Sequence, residues 1–531
     1  MFENDSSQNE NKSVVKPFIN KLNLLARNSI IVLVVISLIS LSIRLYYFPY
    51  ELPITYDGDY YFSYALDTAI LGHFPDNYTF PNNGWPAFLS IFFSFFSSEN
   101  LLDYMNLQRC LSISISLLTV IPVYLLCSRF FKKTHALVGA AMFAFEPRII
   151  QNSLLGISEP LYILLGTLTL YLFLSKDFRA VFASFVFAAL LALVRYEGLL
   201  LILPFSIMFF IRFRKEKLVI PKYLSAMAVF VLVLLPMTLV RIDTIGSDGL
   251  VSNIVQGPRH YVNMGMVHSE DGQSKIISIV FTGMFNFAKF FGWIMIPIFI
   301  FFVPLGAFMI FKKRDYKKTT IIITTITFLI PAFYAYSRDI QDTKYLLPIF
   351  PIFCILSIFT IQKLEKQFAK SNILIMILLT GIILSSLIFL QYKAIDYEHE
   401  RDLLGITYDV YDITGRIMND YGSGMKYLDS VRYAKSDEFP ILSSKLPTFT
   451  VFTKYDFNSI DEYIQYGKEN GLTYLVVDGN DVKLPILNDI FFNENNYPYL
   501  VRVYDSLEHG YKYHVKIFKI DYQLFEKLHT G

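Results

Sequence analysis

Residues 85–96 read Trp85-Pro86-Ala87-Phe88-Leu89-Ser90-Ile91-Phe92-Phe93-Ser94-Phe95-Phe96, and the placement of this apolar run decides the sidedness of everything after it. As a helix it reaches only about 18 Å, short of the roughly 30 Å of a bilayer core. Laid along a membrane surface, it keeps its flanks on one side. Drawn across, it inverts every later loop. The charges choose between the two. With the run on the surface and the amino end inside, the inner loops carry Arg129, Lys132 and Lys133; Lys176 and Arg179; Arg212, Arg214, Lys215, Lys217 and Lys222; Lys312, Lys313, Arg314, Lys317 and Lys318; and Lys363, Lys366 and Lys370. The outer loop 49–84 holds no Lys or Arg, only the acids Glu51, Asp57, Asp59, Asp67 and Asp76. Short cytoplasmic loops collect cations, so the run belongs in the interface and the amino terminus in the cytoplasm.

Working outward, apolar runs long enough to cross or nearly cross a bilayer centre on 29–48, 105–128, 136–146, 157–175, 180–194, 198–211, 223–240, 282–311, 319–336, 345–361 and 372–391. These make about eleven spans, and their odd number places the carboxyl end outside. A mean hydropathy of +0.43 with 17% charged residues agrees with a membrane composition. Residues 1–28, polar with Lys12, Lys16, Lys21 and Arg27, read as a disordered cytoplasmic tail. The run at 29–48 is too long for a signal-peptide core and reads as a retained first span. Cys110, Cys127 and Cys354 all lie in apolar runs, so disulfides do not staple the polar part. The net charge of +2 gives no support to nucleic-acid binding.

The expected parts are therefore the tail at 1–28, a transmembrane module at 29–394 with outer loops at 49–104 and 241–277, and an extracytoplasmic soluble α/β domain at 395–531. Within the last, 461–471 reads as a helix closed by Gly471. It is followed by a strand at 474–478 and by two more at 501–504 and 513–518 around the Glu508-His509-Gly510 turn. No P-loop, GxGxxG or zinc-spaced cluster accompanies them.

Chemistry concentrates at the outer ends of the spans. Asp57-Gly58-Asp59 places two carboxylates around a glycine that permits a sharp turn, suited to a general base and a metal or substrate ligand. The plainer alternative is that Asp57 caps an amphipathic helix at 59–71. Glu159, in Ser158-Glu159-Pro160, either satisfies a helix dipole or lines a cavity with Asp57 and Asp59. Arg148, Arg195, Arg338 and Lys344 are cations at the same surface, able to hold a lipid phosphate or simply to snorkel. His260 and His268 lack a third ligand at metal-like spacing and read as solvated. Asn77-Tyr78-Thr79 fits a glycosylation acceptor.

The succession of an acidic first outer loop, Gly84-Trp85-Pro86, Ser158-Glu159-Pro160-Leu161, Arg195-Tyr196-Glu197-Gly198 and Lys344-Tyr345-Leu346-Leu347-Pro348 resembles the GT-C glycosyltransferases. More narrowly it is similar to family 39, the protein mannosyltransferase and aminoarabinose transferase branch. The stretches 473–478, 500–506 and 513–518 resemble the extracytoplasmic tail of many such enzymes. The resemblance implies transfer of a sugar from a polyprenyl (dolichyl or undecaprenyl) phosphate carrier to a protein, glycan or lipid acceptor on the outer side. It implies a first-loop Asp as the base that deprotonates the acceptor hydroxyl. Asp57-Gly58-Asp59 replaces the family's common Asp-Glu pair, which leaves Asp57 and Asp59 both eligible, Asp57 by motif position. Arg148, Arg195, Arg338 or Lys344 would stabilise the leaving phosphate, or a divalent cation (Mg or Mn) would do so at Asp57, Asp59 and Glu159.

Two other readings compete. A lipid-linked-sugar flippase or transporter would show broken helices and mid-membrane polar groups, whereas the charges here gather at the outer ends. An oligosaccharyltransferase would carry a Trp-Trp-Asp-Tyr-Gly motif in its soluble domain, yet the only tryptophans are Trp85 and Trp293.

Overall fold

The computed structural model describes residues 29–76, 78–257, 272–312, 315–367, 371–392, 396–452, 457, 459–479 and 485–529. The expected tail at 1–28, Asn77, and His260 and His268 lie outside them. Each of the eleven apolar runs falls on helix. Seven helical stretches are long and apolar enough to cross a membrane: Ser29–Tyr46, Leu101–Ser128, Tyr196–Phe213, Val219–Ile245, Ile277–Ile294, Tyr316–Ser337 and Thr343–Glu365. An eighth lies in the helix Ser371–Tyr392. The chain is an integral membrane protein.

The other runs form shorter helices, Lys133–Ala144, Glu159–Phe173 and Phe178–Val194. Lys133–Ala144 is apolar all round because it is buried all round: Ala136, Ala140, Ala141, Met142 and Ala144 are fully enclosed. It packs on Val120–Ser128 and Phe350–Glu365. The run 282–311 differs from expectation. It is two helices, Gly272–Ile294 and Val303–Ile310, separated by turns that contain Pro297, which has no N–H to carry a helix onward. The helix Gly84–Phe93 has 10 residues, too few to cross a bilayer.

The chain forms two compact units. The first comprises 1–48, 74–89 and 108–394. In it Arg44 is fully buried and satisfied by neutral groups. Its Nε donates to Ser153 Oγ at 3.1 Å, one terminal nitrogen to Ser116 Oγ at 3.0 Å, and the other to Ala144 O at 3.3 Å. One cation thereby ties together four stretches of chain, as a low-dielectric interior demands. Residues 80–85 are fastened in the same manner. Arg241 donates to Phe80 O (3.1 Å) and Asn83 Oδ1 (2.8 Å), and Trp85 Nε1 donates to Gly156 O (3.0 Å).

The second unit comprises 49–73, 90–107 and 395–531, so two pieces of the segment 49–107 pack with the C-terminal part. Strands β1 (Ile417–Asn419) and β2 (Thr450–Phe452) pair in parallel. Strands β3 (Tyr474–Asp478), β4 (Leu500–Asp505) and β5 (Val515–Ile520) form an antiparallel sheet in the order β3-β5-β4. Asn419 joins the two sheets, its amide donating to Val476 O (2.6 Å) while its Oδ1 accepts Val476 N–H (2.8 Å). The expected helix occupies Ile460–Glu469, with Gly471 in the left-handed region. The last strand begins two residues later than expected, because Ser506–His509 is a 3-10 turn closed by left-handed Gly510. β1, β2 and the amphipathic helix Tyr397–Thr414 were not anticipated.

Gly84 is where backbone meets backbone. A Cβ there would sit 2.7 Å from Leu193 C and Val194 N, atoms that no rotamer change can move. Gly84→Ala should therefore lower the stability of the detergent-solubilised protein by about 1–3 kcal/mol, the usual cost of overpacking, read as an earlier thermal transition.

Candidate active site

In the first unit, the helix Phe178–Val194 ends at Arg195, whose extended backbone (φ −146°) leads into the 3-10 segment Tyr196–Leu201. The tight return explains Gly198: a Cβ there would come within 2.9 Å of Ala192 N. Asn82 Oδ1 accepts the Tyr196 N–H at 3.1 Å and fixes the turn. Glu159 is the first residue of the helix Glu159–Phe173 and is buried, so it both faces the helix dipole and lines the interior.

These elements place the Arg195 guanidinium between two carboxylates. One terminal nitrogen donates to Glu159 Oε1, the other to Glu197 Oε1 at 3.0 Å. The Tyr162 and Tyr345 rings lie 5.9 and 5.6 Å from its carbon. Lys344 stands on the same wall, its ammonium 3.4 Å from the Asp342 carboxylate, which also accepts the Lys344 N–H at 2.8 Å. Together with Phe328, Pro331 and Pro348, the Glu159, Tyr162, Arg195, Glu197, Lys344 and Tyr345 side chains line a narrow, partly open crevice. Its wall carries the cations Arg195 and Lys344 against the acids Glu159 and Glu197, an almost balanced charge in a mostly apolar setting, where each polar contact strengthens.

Of the cations singled out from sequence, the crevice includes Arg195 and Lys344 and leaves out Arg148 and Arg338. Arg148 pairs with Glu146 at 3.2 Å, donates to Trp293 O at 2.7 Å and to Ile296 O, and lies over the Trp293 and Phe389 rings. Arg338 follows the helix Tyr316–Ser337 and stands over Tyr334. Glu197, Tyr162 and Tyr345 line the crevice without having been singled out. Glu197 was visible only as a neighbour of Arg195 in Arg-Tyr-Glu-Gly.

In the second unit, Asp57 is the first residue of the helix Asp57–Leu71 and Tyr56 holds the cap position, so Asp57 is not the cap considered from sequence. Nor does the chain turn at Gly58, which is helical. It turns at Tyr56, with φ +54° and ψ −131°, a conformation a bulky residue rarely adopts. Asp57 is half-buried. Asp59 is different: its Oδ1 is enclosed without a hydrogen-bond partner among the described residues. Burial pushes its carboxyl well above the usual range, Asp429 adds to this, and Arg432 opposes it.

Asp57 and Asp59 are two apart on one helix and do not face each other, so they form no chelating pair. Between Glu159 and Glu197 the place of a cation is taken by Arg195. Among the described residues, no group of three or more His, Cys, Asp or Glu is arranged to hold a metal ion.

No family profile and no curated protein matches the sequence. The fold is that of the GT-C glycosyltransferases, as solved structures show. ArnT from Cupriavidus metallidurans, bound to undecaprenyl phosphate, matches with a TM-score of 0.56 and 12% identity, over 92% of this chain and 97% of that one. The Archaeoglobus fulgidus oligosaccharyltransferase, in complex with Zn and sulfate, matches with a TM-score of 0.55 and 14% identity, over 84% and 68%. The same organism's AglB, in complex with an inhibitory peptide and a dolichol-phosphate, gives 0.54 and 14%, over 85% and 69%.

Removing Arg195 leaves the buried Glu159 carboxylate and the partly buried Glu197 carboxylate without their shared cation. Arg195→Ala should cost about 3–5 kcal/mol, and Arg195→Lys should restore only part, since one ammonium cannot reproduce the planar fork; melting temperatures in detergent decide. Asp59 has the opposite sign. Its folded carboxyl holds a proton more tightly than its unfolded one, so its contribution to stability falls as pH rises toward the folded pKa and stays low above it. Asp59→Asn should melt no lower than the parent at pH 8, and a lower transition would refute the buried acid.

Proposed function

We propose that the chain is a glycosyltransferase that moves a sugar from a polyprenyl-phosphate carrier to an acceptor hydroxyl on the extracytoplasmic face, where the second unit also lies. The observation that carries this reading is the crevice wall itself: Arg195 locked between Glu159 and Glu197, Lys344 beside it, and tyrosine rings around them. The fold supports it, since ArnT was solved with undecaprenyl phosphate and AglB with a dolichol-phosphate.

Lys344 is the phosphate contact in this reading. Its ion pair with Asp342 is long and half-exposed, which makes exchange for a phosphate oxygen inexpensive. Arg195, neutralised by Glu159 and Glu197, holds the wall in shape around the phosphate contact. Asp57 is the base. It takes the proton of the acceptor hydroxyl as that oxygen bonds to the anomeric carbon, while the bond from that carbon to the phosphate oxygen breaks and polyprenyl phosphate departs with the electron pair. Asp59 is the weaker candidate for this role, because its burial favours the protonated form that cannot accept a proton.

The oligosaccharyltransferase reading draws on the AglB likeness but lacks the Trp-Trp-Asp-Tyr-Gly motif. A flippase would move lipid across sealed vesicles and form no glycosidic bond.

In vesicles supplied with a polyprenyl-phosphate sugar, Asp57→Asn should reduce transfer by about 10²–10⁴-fold, the range for loss of a general base, while Asp59→Asn retains it. EDTA should leave the rate unchanged, since Lys344 supplies the positive charge. Full activity of Asp57→Asn, or lipid movement without any new glycosidic bond, would overturn the assignment.

A further inference from the structure

The helix Asp57–Leu71 presents one stripe to the C-terminal part of its own unit. Asp59, Ser63 and Asp67 recur every four residues and so share a face, with Phe62 and Leu66 beside them. Along that stripe the partners come from 429–443. Asp59 faces the charges of Asp429 and Arg432, the latter tied to Asp429 at 2.6 Å and to Pro447 O at 3.0 Å. Ser63 Oγ accepts from the Tyr433 hydroxyl at 3.3 Å. Asp67 accepts the Ser443 N–H at 2.8 Å and the Ser443 hydroxyl as well. Apolar contacts seal the seam: Phe62 is fully buried with its ring 5.9 Å from that of Tyr433, and Tyr104 meets Phe439 at 5.5 Å.

Two features separate this from ordinary packing. First, Asp67 is only 3% exposed and takes its hydrogen bonds from the backbone and hydroxyl of Ser443; burial raises its carboxyl and these two donors pull it back. A buried acceptor of this kind fixes its donors, because losing either leaves an unsatisfied oxygen. Second, Asp57 lies two residues from Asp59 and therefore off the stripe. The clamped face orients the helix while the first-turn carboxyl remains half-buried and turned elsewhere.

We infer that the segment 428–443 is a clamp on the first-loop helix, and that Ser63, Asp67, Tyr433 and Ser443 are positioning residues that set where Asp57 stands during transfer. This gives the C-terminal part a task in the reaction at the helix it grips. It rests on the reading of Asp57 as base.

The test uses the full-length protein in vesicles, with Ser443→Ala, Tyr433→Phe and Ser443→Thr. Each variant is assayed for sugar transfer and for amide hydrogen exchange along the chain. Ser443→Ala and Tyr433→Phe should lower kcat about 10-fold, in line with the cost of slightly misplacing a catalytic group. Both should speed exchange within 57–71 while β3–β5 stay as protected as in the parent. Ser443→Thr, which keeps the hydroxyl, should restore both. Unchanged exchange in 57–71 would overturn the clamp, as would loss of protection spread over the whole unit or failure of Ser443→Thr to rescue. If the parent transfers no sugar at all, the proposed function fails, yet the exchange measurement still decides whether 428–443 holds the helix.

Discussion

One guanidinium shared by a buried carboxylate and a partly buried one organises the end of the bundle. Glu159 opens one helix, Arg195 closes another and Glu197 belongs to the turn that follows, so the interaction fixes three pieces of chain relative to one another. In a water-poor interior neither carboxylate can remain charged without a cation, and the cation could not remain there without them. The rest of the crevice depends on that closure. Tyr162 is carried one turn along the Glu159 helix, and Tyr345 comes in over the guanidinium from the 3-10 segment Thr343–Ile349. Gly198 and Asn82 serve the same turn from below, one by taking no space and the other by accepting its first amide.

The helical bundle was legible because its signal is spread over many residues. Eleven apolar runs and five basic loops do not depend on any one side chain, and each run lies on helix in the structure. What could not be read was where a run breaks. Pro297 lies inside 282–311, where the structure has two helices and hydropathy averaging sees one run. Likewise Lys133–Ala144 has only 12 residues and is sheathed by neighbours on all sides, so its composition says buried and cannot by itself say spanning.

The site was legible as a set of residue types and only partly as a grouping. Glu159, Arg195 and Lys344 stood out because charge at the end of an apolar run must be explained. Arg148 and Arg338 stood out for the same reason, and nothing in the order of residues distinguished them. The difference is made by Trp293, Ile296 and Phe389, whose carbonyls and rings occupy Arg148 from far along the chain. The stripe Asp59, Ser63, Asp67 was present in the sequence too, but its partners are 370 and 376 residues away at Tyr433 and Ser443. Without them the spacing reads as an amphipathic surface helix.

The four buried or half-buried arginines and lysines that matter here can be ordered by what neutralises them. Arg44 donates to hydroxyls and carbonyls, so it is a tie between segments, and any bound anion would have to displace those hydrogen bonds. Arg148 has a carboxylate, two carbonyls and two rings, an arrangement that spends its planar fork within the protein. Arg195 has two carboxylates, which hold it more firmly still. Lys344 has a carboxylate that is 43% exposed and 3.4 Å away. Exchanging that contact for a phosphate oxygen costs least, because water already screens the bond being given up. On the crevice wall the loosely held cation thus stands beside one that two carboxylates fix in position.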